Sequence, residues 1–510
     1  MDKNTNVVMM QGCASSVGKS LLSAALCRII KQDGYTVAPF KSQNMALNSY
    51  ITVKGDEMGR AQVVQAEAAG IEPDVLMNPI LLKPTSDKKS QIIVNGKVYA
   101  NMDFREYHKL KPKLKATVKD AYNALADEYE YVIIEGAGSP AEINLTEGDI
   151  VNMGMADIAD SPVILIGDID KGGVFAFIAG TLQLLEEKHR KRVKGVIINK
   201  FRGDVEILKP GLGKLEEIIG IPVLGVVPYL NVDIEDEDSV SERFDRVVGK
   251  GDVDVVVIKL PHLSNYTDYN VFSLEKSITM RYVENLNDIG NPDLIILPGT
   301  KNTIEDLLYL KSVGLDEFIV RHARQGKAVI GVCGGYQMLA NSLHDPHHTE
   351  SRIENISGIG LIDMDVTFEK EKVTTRVDGQ ILCADIGMLA DLEGTQVQGY
   401  EIHMGKSTFG RDAVPCINIV DSNGEEVEIL DGVGNEEGNV FGTYIHGIFD
   451  NSGLLRGIIN NIRKAKGLDT DSSETITFEE YKQSEYDRLA DIVRNAIDMD
   501  AVYNIMRGEL

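Results

Sequence analysis

Two short stretches of the sequence have residue types and spacings that could do chemistry. The first, "GCASSVGKS" (12–20), is close to a phosphate-binding loop, which normally has a glycine five positions before the Gly of Gly-Lys-Ser. Cys13 holds that position here, and Gly12 comes one residue too early. The second, "GVCGGYQML" (331–339), sets Cys333 among glycines. The first stretch indicates nucleotide binding and the second indicates a thiol nucleophile.

The context of the first stretch supports a phosphate site. An apolar run precedes it and "LLSAALCRII" follows with helical character, so backbone N–H groups and a helix N-terminus would face the anion. Lys19 would reach the terminal phosphates, Ser20 would ligate Mg²⁺, and Asn199 could read an adenine edge. The predicted ATP-binding residues are Gly12, Ser15, Gly18, Lys19, Ser20 and Asn199. The alternative to a phosphate site is a Gly- and Ser-rich turn that only begins a helix.

A magnesium ion also needs carboxylates. Glu135 ends the apolar run "YVIIE", and ligands of open α/β sheets bind at the carboxyl ends of strands. We therefore predict that Ser20 and Glu135 hold Mg²⁺, with a third ligand left open among Glu57, Asp168 and Asp170. An exposed acid at a strand end is the alternative for Glu135.

Two further segments, "PFKSQNMALNSY" and "DEMGRAQVVQAEAAG", are rich in polar side chains close after a strand-like run. They could line a pocket that binds many amides or carboxylates. The candidate substrate-binding residues are Lys41, Gln43, Asn44 and Arg60. Polar loops with a surface helix fit the same composition.

Cys333 has the surroundings of a nucleophile elbow. A buried strand runs into it, glycines flank it and a helix follows, as in the Gly-x-Ser-x-Gly turn. The N–H of Gly334 would help to stabilise an oxyanion. A buried structural cysteine is the alternative.

A thiol nucleophile needs a base, and two histidines are candidates. His446 in "GTYIHGIF" follows an apolar strand and precedes a glycine, so it can project from a strand end. His403 in "GYEIHMG" is its competitor.

The elements that must position these residues form two series. Short apolar runs alternate with helical patterns, first over about 230 residues and again after residue 252, which predicts α/β domains with parallel sheets. An acidic stretch separates the series, so we place a boundary near Gly251; a surface loop within one large domain is the alternative. The expected domains are 1–250, 251–451 and a helical tail, 452–510. In the tail, Tyr486, Leu489, Val493, Ala496 and Ile497 lie at helical spacing.

Composition limits the partners. The chain has 510 residues, a net charge of −26 and no apolar run that could span a bilayer. The negative field argues against nucleic acid and anionic membranes as partners. Five scattered cysteines and no signal peptide indicate a cytoplasmic protein.

Longer stretches carry a family resemblance. "PGTKNTIEDL", "GVCGGYQML", "GYEIHMG" and "GTYIHGIFD" resemble the glutamine amidotransferase domain of the cobyric acid and cobyrinic acid diamide synthase group. "GCASSVGKS", "FKSQNMALNS", "MNPILLKP", "EGAGSPAEINL" and "DIDKGGVFA" resemble the cobyric acid synthase branch. The resemblance covers nearly the whole chain. It implies a P-loop domain like that of dethiobiotin synthetase, whose loop also has the longer spacing, and a class I amidotransferase-like α/β domain.

The resemblance implies a ligase reaction. With ATP, Mg²⁺ and glutamine, the b, d, e and g carboxylates of adenosylcobyrinic acid a,c-diamide would become carboxamides in cobalamin synthesis. It assigns the nucleophile to Cys333 and the base to His446, and it places Gly299 of "LPGT" beside Gly334 at the oxyanion hole. The oligomeric state stays open.

One position departs from the wider class. Class I amidotransferases generally have His-x-Glu, but Ile448 stands two residues after His446. The orientation of His446 must therefore come from elsewhere. We expect slow glutaminase activity unless ATP and the corrinoid are bound.

Two rival functions remain at this point. A cobyrinic acid a,c-diamide synthase would use the same chemistry on other carboxylates, although "FKSQNMALNS" argues against it. A deviant P-loop scaffold ATPase would have a second lysine where Ala14 stands, and it would leave the Cys333 elbow unexplained.

Overall fold

The structure is a computed structural model that describes residues 5–86, 89–234, 244, 247–382, 387–472 and 476–509. In chain order the strands are β1 (Asn6–Gly12), β2 (Val37–Phe40), β3 (Gln43–Met45), β4 (Ser49–Ile51), β5 (Glu57–Gly59), β6 (Ile80–Ser86), β7 (Lys89–Val94), β8 (Lys97–Asp103), β9 (Tyr131–Glu135), β10 (Val163–Asp168), β11 (Val193–Phe201) and β12 (Val223–Pro228). They continue with β13 (Val248–Gly249), β14 (Val253–Ile258), β15 (Ile278–Val283), β16 (Leu294–Leu297), β17 (Ala328–Val332), β18 (Ser342–His344), β19 (Asn355–Ser357), β20 (Met364–Ile381), β21 (Gln396–Phe409), β22 (Val414–Ser422), β23 (Glu425–Gly434) and β24 (Val440–Thr443).

The α-helices are numbered in the same way over the described residues. They are α1 (Lys19–Gln32), α2 (Arg60–Ala69), α3 (Phe104–Glu128), α4 (Met153–Ala159), α5 (Val174–Leu184), α6 (Glu187–Arg190), α7 (Val205–Ile219), α8 (Leu286–Ile289), α9 (Thr303–Ser312), α10 (Leu315–Arg324), α11 (Gly334–Met338), α12 (Ser452–Ala465), α13 (Phe478–Ala496) and α14 (Met499–Arg507). No described helix is both long enough and apolar enough to cross a bilayer.

The chain divides into two compact units. Unit 1 contains Met1–Ala46, Glu57–Val240 and Glu479–Leu510, and unit 2 contains Leu47–Asp56 and Ser241–Phe478. The main crossing, after Val240, lies close to the boundary that the sequence suggests near Gly251. The chain also crosses at two places that the strand pattern does not indicate: a ten-residue excursion after Ala46 and a return after Phe478.

Unit 1 is built on a six-stranded parallel sheet in the order β12-β11-β10-β1-β9-β2. Its strands are the apolar runs of the first series, which are buried because helices cover both faces. Met10 of β1 pairs with Glu135 of β9, so the loops after these strands leave the same edge of the sheet. A smaller sheet, β3-β6-β7-β8, begins with Gln43.

Helices α12, α13 and α14 follow residue 451, but they do not form one tail. Helix α12 belongs to unit 2, whereas residues from Glu479 onward belong to unit 1. The apolar stripe of α13, with Leu489 and Val493 fully buried, packs in one hydrophobic cluster with α1. Arg28 of α1 donates from Nε to Asp487 at 2.7 Å and thereby ties the two helices together.

Unit 2 contains a mixed sheet. Its parallel part, β15-β14-β16-β17-β24, carries the apolar runs of the second series, and antiparallel strands β23, β22 and β20 extend it on one side. The long strands β20 and β21 pair with each other. The prediction of parallel sheets in both halves is therefore confirmed, while the antiparallel extension is an addition that the sequence pattern did not indicate.

Candidate active sites

The loop after β1 has the backbone of an anion site. Ser16 and Gly18 adopt positive φ values of 58° and 90°, and α1 begins directly afterwards with Lys19. The N-cap residue of α1, Gly18, has no side chain that could cap the first turn, which favours binding of a phosphate to the N–H groups there. A Cβ on Gly12 would lie 2.6 Å from Cγ2 of Val17, which explains why the strand must end in glycine.

Two residues at the end of β11 donate side-chain hydrogen bonds to the backbone of this loop. Asn199 donates from Nδ2 to the carbonyl of Val17 at 2.8 Å, and Lys200 donates to the carbonyl of Ser16. A Cβ on Gly18 would lie 2.3 Å from Nδ2 of Asn199. Asn199, which was predicted to hydrogen-bond the adenine, instead donates a side-chain N–H to the loop. Its Oδ1 is buried and has no hydrogen-bond partner among the described residues.

Glu135 is the centre of the polar contacts beside the loop. Its Oε1 accepts hydrogen bonds from the hydroxyl of Ser20 and the ammonium of Lys41, each at 2.8 Å. Its Oε2 accepts from Nε2 of Gln65 at 2.5 Å. Lys19 lies within reach of the neighbouring turn, 3.4 Å from the carbonyl of Gly138. Side chains that follow the phosphate loop therefore contact the end of β9, and the two segments form one polar site.

The charge of Glu135 is stabilised within the protein. Burial by itself would raise its pKa, but the positive charges of Lys41 and Lys19 and the hydrogen bonds from Lys41 and Ser20 outweigh burial and hold the pKa below its ordinary value. Glu135 is therefore an ionised acceptor for a cation or for hydrogen-bond donors.

A pocket of about 540 Å³ opens at this arrangement, wholly within unit 1. Seven of the predicted site residues line it: Ser15, Lys19, Ser20, Glu135, Lys41, Gln43 and Asn44. Its size suits a nucleotide or a similar ligand. The described lining does not include Glu57, Asp168, Asp170 or Arg60.

Each of those four residues has a partner elsewhere. The carboxylate of Glu57 accepts from the buried Lys83 at 2.9 Å. Asp168 lies 3.3 Å from Lys200, and Asp170 lies 3.0 Å from Arg202. Finally, Arg60 faces the carboxylate of Glu67 at 3.9 Å.

The oxygen donors of the pocket fit a magnesium ion. Within the described residues no group of three or more His, Cys, Asp or Glu side chains could hold a metal. Mg²⁺, however, binds through one or two protein oxygens together with water and phosphate oxygens. Ser20 and Glu135, in contact at 2.8 Å, provide such a pair.

The second site lies in unit 2, at the end of β17. Cys333 adopts φ 49° and ψ −108°, a strained conformation for a residue with a side chain, and immediately precedes α11. Its N–H donates to the carbonyl of Thr443 at 2.8 Å, which fixes the turn against β24. A strained turn between a strand and a helix is the geometry of a nucleophile elbow, and here the turn is buried.

His446 follows β24 and reaches Cys333. The two side chains are hydrogen-bonded, and the other ring nitrogen, Nδ1, donates to Oδ2 of Asp268 at 2.7 Å. The second oxygen of Asp268 accepts from the N–H of Gly447 at 3.1 Å. Both His446 and Asp268 are buried. Cys333, His446 and Asp268 thus form a nucleophile–base–carboxylate chain.

Asp268 gives His446 an unusual charge. Burial disfavours the imidazolium, but the charge of Asp268, the neighbouring Cys333 and the hydrogen bonds to both raise the pKa of His446 to about 10. His446 is consequently protonated at neutral pH, and its positive charge lies beside the sulfur of Cys333.

His403 lies in a different environment. Its Nδ1 donates to the carbonyl of Gly405 at 2.7 Å, and its ring stacks on Tyr444 with centroids 3.8 Å apart. Burial lowers its pKa to about 4, so it is neutral. Of the two histidines, His446 is the one in hydrogen-bonding contact with Cys333.

Both predicted oxyanion glycines lie at this site. A Cβ on Gly299 would lie 3.0 Å from Cε1 of His446, and a Cβ on Gly334 would lie 2.6 Å from Cγ2 of Thr300. The two glycines therefore allow the loop after β16 and the start of α11 to approach the nucleophile closely.

Tyr400 and its hydrogen-bond partners support His446. The backbones of Tyr400 and His446 exchange hydrogen bonds, and their rings stack with centroids 5.3 Å apart. The hydroxyl of Tyr400 accepts from Nδ2 of Asn265 at 2.7 Å and donates to the carbonyl of Ser49. Asn48 also accepts from the N–H of Asn265, so the excursion 47–56 contributes to this network.

Asp268 is the functional residue that the sequence did not reveal. The missing glutamate at Ile448 indicated only that some other group must orient His446, and Asp268 is that group. The reason for expecting slow unliganded glutaminase, a histidine without a carboxylate, therefore does not hold. The acid lies in the 3₁₀ helix Tyr266–Leu274, within "SNYTDYNVF", where no local pattern marks it.

Comparisons with known proteins agree with this two-site geometry. Residues 8–239 match the family model of the CobQ/CobB/MinD/ParA nucleotide binding domain. Residues 254–454 match that of the CobB/CobQ-like glutamine amidotransferase domain. Among solved structures, PurLQS from Thermotoga maritima covers 41% of this chain and 98% of its own at 23% identity, with a TM-score of 0.31 that is too low to support a conclusion.

Curated relatives match over nearly their whole length. A cobyric acid synthase from Clostridium botulinum (strain Kyoto / Type A2) is 56% identical over 98% of this chain and 99% of its own. The chain belongs to the cobyric acid synthase family. Further members from Thermoanaerobacter sp. (strain X514) and Alkaliphilus metalliredigens (strain QYMF) are 55% and 54% identical over 98% of this chain, and cover 98% and 100% of their own.

Membership defines the class of enzyme. The protein is a glutamine-dependent amidating ligase with a nucleotide-binding domain and an amidotransferase domain. The loop at Lys19 falls within the first matched region and the Cys333 elbow within the second.

Proposed function

We propose that the protein converts the b, d, e and g carboxylates of adenosylcobyrinic acid a,c-diamide into carboxamides, using ATP and glutamine, to give adenosylcobyric acid. The single observation that carries this proposal is the full-length similarity to cobyric acid synthases. The two sites supply the chemistry that such a reaction needs: a thiol centre that releases ammonia, and a phosphate site with a carboxylate beside it.

Ammonia release takes place at Cys333. Its thiolate attacks the glutamine carboxamide, and the N–H groups around Gly299 and Gly334 stabilise the oxyanion. His446, held as an imidazolium by Asp268, gives its proton to the leaving ammonia. His446 then takes a proton from water, which cleaves the thioester and releases glutamate.

Amide formation needs an activated carboxylate, because an unactivated carboxylate is a poor acyl donor. A substrate carboxylate attacks the γ-phosphate of ATP, whose charge is offset by Lys19 and by the N–H groups of the loop. Ammonia then displaces phosphate from the acyl phosphate. One ATP is consumed for each amide.

Ser20 and Glu135 would hold a magnesium ion in this pocket. When bound, the metal would neutralise phosphate charge. Lys41 now occupies Oε1 of Glu135, so it would shift toward the phosphates or the substrate carboxylate when the metal takes that oxygen.

We also propose a cytoplasmic location. ATP and glutamine are cytoplasmic substrates, and Cys13, Cys27, Cys333 and Cys416 are free thiols, as expected in a reducing compartment.

Mass spectrometry of the product tests the proposed function. The purified protein is incubated with adenosylcobyrinic acid a,c-diamide, ATP, Mg²⁺ and glutamine. Each step replaces a hydroxyl with an amino group, so the mass shift counts the amidations and fragmentation locates them. Products amidated at b, d, e and g are expected. Conversion of cobyrinic acid only at positions a and c would contradict the proposal.

A further inference from the structure

The rim of the phosphate pocket in unit 1 exposes large apolar side chains. Met45 is 60% exposed, Phe104 63% and Leu145 40%, and all three line the pocket. Scattered apolar residues are common on protein surfaces, but a group around a polar pocket indicates a surface that binds a ligand. The phosphates of ATP are anionic and would not bind to apolar side chains, so this rim indicates a different ligand group.

The position of Phe104 is fixed by the start of α3. Asp103 accepts from the N–H of Glu106, and the side chain of Glu106 accepts from the N–H of Asp103, which is a complete capping box. Phe104 is therefore the first helical residue and stays at the pocket rather than folding into the core. Lys111 lies two helical turns further along the same face and also lines the pocket.

Lys111 forms no ion pair or hydrogen bond with any residue that the structure describes. It is half-buried and lines the pocket. Asp149, the nearest acid to act on it, already accepts hydrogen bonds from the N–H groups of Val151, Asn152 and Gly154.

The other two lysines among the described residues of the pocket lining belong to the phosphate site. Lys41 is paired with Glu135, and Lys19 belongs to the phosphate loop. Burial lowers the pKa of Lys111, and the negative charge of Asp149 offsets this effect only in part. An anionic ligand would supply the missing counter-charge.

We propose that Met45, Phe104 and Leu145 bind the face of a large, flat, apolar ring, and that Lys111 binds a carboxylate on the periphery of that ring. This inference rests on the proposed function, in which such a ring with carboxylate side chains is the substrate, and it assigns the surface that presents the carboxylates to the phosphate site. The apolar rim and the cation lie at the same opening, so one ligand can contact both.

Equilibrium binding of the coloured corrinoid to the full chain tests the proposal. Lys111→Met should weaken binding of adenosylcobyrinic acid a,c-diamide about 10-fold, because a charged hydrogen bond is lost. It should leave binding of a fully amidated corrinoid, the KM for ATP and the glutaminase rate unchanged. Lys115→Met, on an exposed position of the same helix, is the matched control.

The apolar contacts are tested separately. Phe104→Ser should weaken binding of both corrinoids, whereas Phe177→Ser, which removes another exposed phenylalanine of unit 1, should change neither. Lys111→Arg should restore carboxylate-dependent binding, which a merely structural role would not require.

The outcomes separate this inference from the proposed function. If the unmodified protein amidates the corrinoid but Lys111→Met and Phe104→Ser behave as their controls do, the binding surface lies elsewhere and the inference is wrong. If the unmodified protein neither binds nor amidates the corrinoid, the proposed function fails and this inference fails with it.

Discussion

The carboxylate of Asp268 accepts a 2.7 Å hydrogen bond from His446, although 178 residues separate the two in the chain. Asp268 thus contacts His446 in the way expected of the glutamate in His-x-Glu amidotransferases, which orients the histidine. The contacts therefore form a nucleophile–base–carboxylate arrangement whose third member comes from a distant part of the sequence.

Asp268→Asn should strongly impair glutamine hydrolysis. The amide removes the charge that raises the pKa of His446, so the imidazolium would be lost at a lower pH. We expect the glutaminase kcat to fall at least about 10-fold. The alkaline limb of its pH profile, set in the unmodified protein by a pKa of about 10, should move to lower pH. An unchanged alkaline limb would exclude Asp268 as the partner; amidation with added ammonia serves as the control.

Cys333→Ala and Lys19→Ala should separate the two half-reactions. Without the thiol, glutamine-dependent amidation should disappear while ammonia-dependent amidation persists. Lys19→Ala should lose both, because Lys19 acts on the ATP step. Steady-state rates with glutamine and with ammonium chloride measure the difference. Turnover with glutamine in Cys333→Ala would refute the nucleophile assignment.

Glu135→Gln should damage the ATP step alone. The variant loses the carboxylate that accepts from Ser20 and Lys41, so we expect ammonia-dependent amidation to fall about 10- to 100-fold and to require more Mg²⁺. Glu142→Gln, an exposed acid of the same pocket, is the matched control. Equal magnesium dependence in both variants would argue against Glu135 as a ligand.

Tyr400→Phe should weaken the support of His446. The ring would remain, but Asn265 would lose an acceptor in a buried position, which costs about 1–3 kcal/mol of unfolding free energy. We also expect a lower glutaminase kcat with little change in KM. Tyr309→Phe, which removes a surface hydrogen bond to Glu284, should change stability by less than about 0.5 kcal/mol. Denaturation curves and glutaminase kinetics of the two variants provide the comparison.

Leu489→Ala should destabilise unit 1. The side chain is fully buried against the cluster that contains α1, so its removal should cost about 2–5 kcal/mol. Leu184→Ala, at a half-exposed position of the same unit, should be nearly neutral. Chemical denaturation monitored by nucleotide binding measures both. If the two variants unfold alike, α13 does not stabilise this unit.

Local patterns predicted the features that depend on neighbours in sequence. The phosphate loop and the Cys333 elbow are each a strand, a turn and a helix within about twenty residues, and apolar runs mark their strands. The pairing of Ser20 with Glu135 was also accessible, since both follow strands of one predicted parallel sheet.

Long-range partners could not be predicted in this way. Asp268 lies in the 3₁₀ helix Tyr266–Leu274, where no apolar periodicity of the sequence shows which way its carboxylate points. Glu57 was one of three candidates for the third metal ligand, but its ion pair with Lys83 depends on how β5 packs against β6. The apolar stripe around Leu489 predicted a packed helix without indicating that its partner is α1.

The excursion 47–56 has a consequence for the order in which the protein is made. The hydroxyl of Tyr400 donates a hydrogen bond to the carbonyl of Ser49. Ser49 is synthesised 351 residues before Tyr400. At about 5–20 residues per second, synthesis of that interval takes about 20–70 s. The interval is longer for Arg28, because its ion-pair partner Asp487 is synthesised 459 residues later. Neither unit can therefore reach its final packing early in translation, because each needs a segment that is made hundreds of residues later.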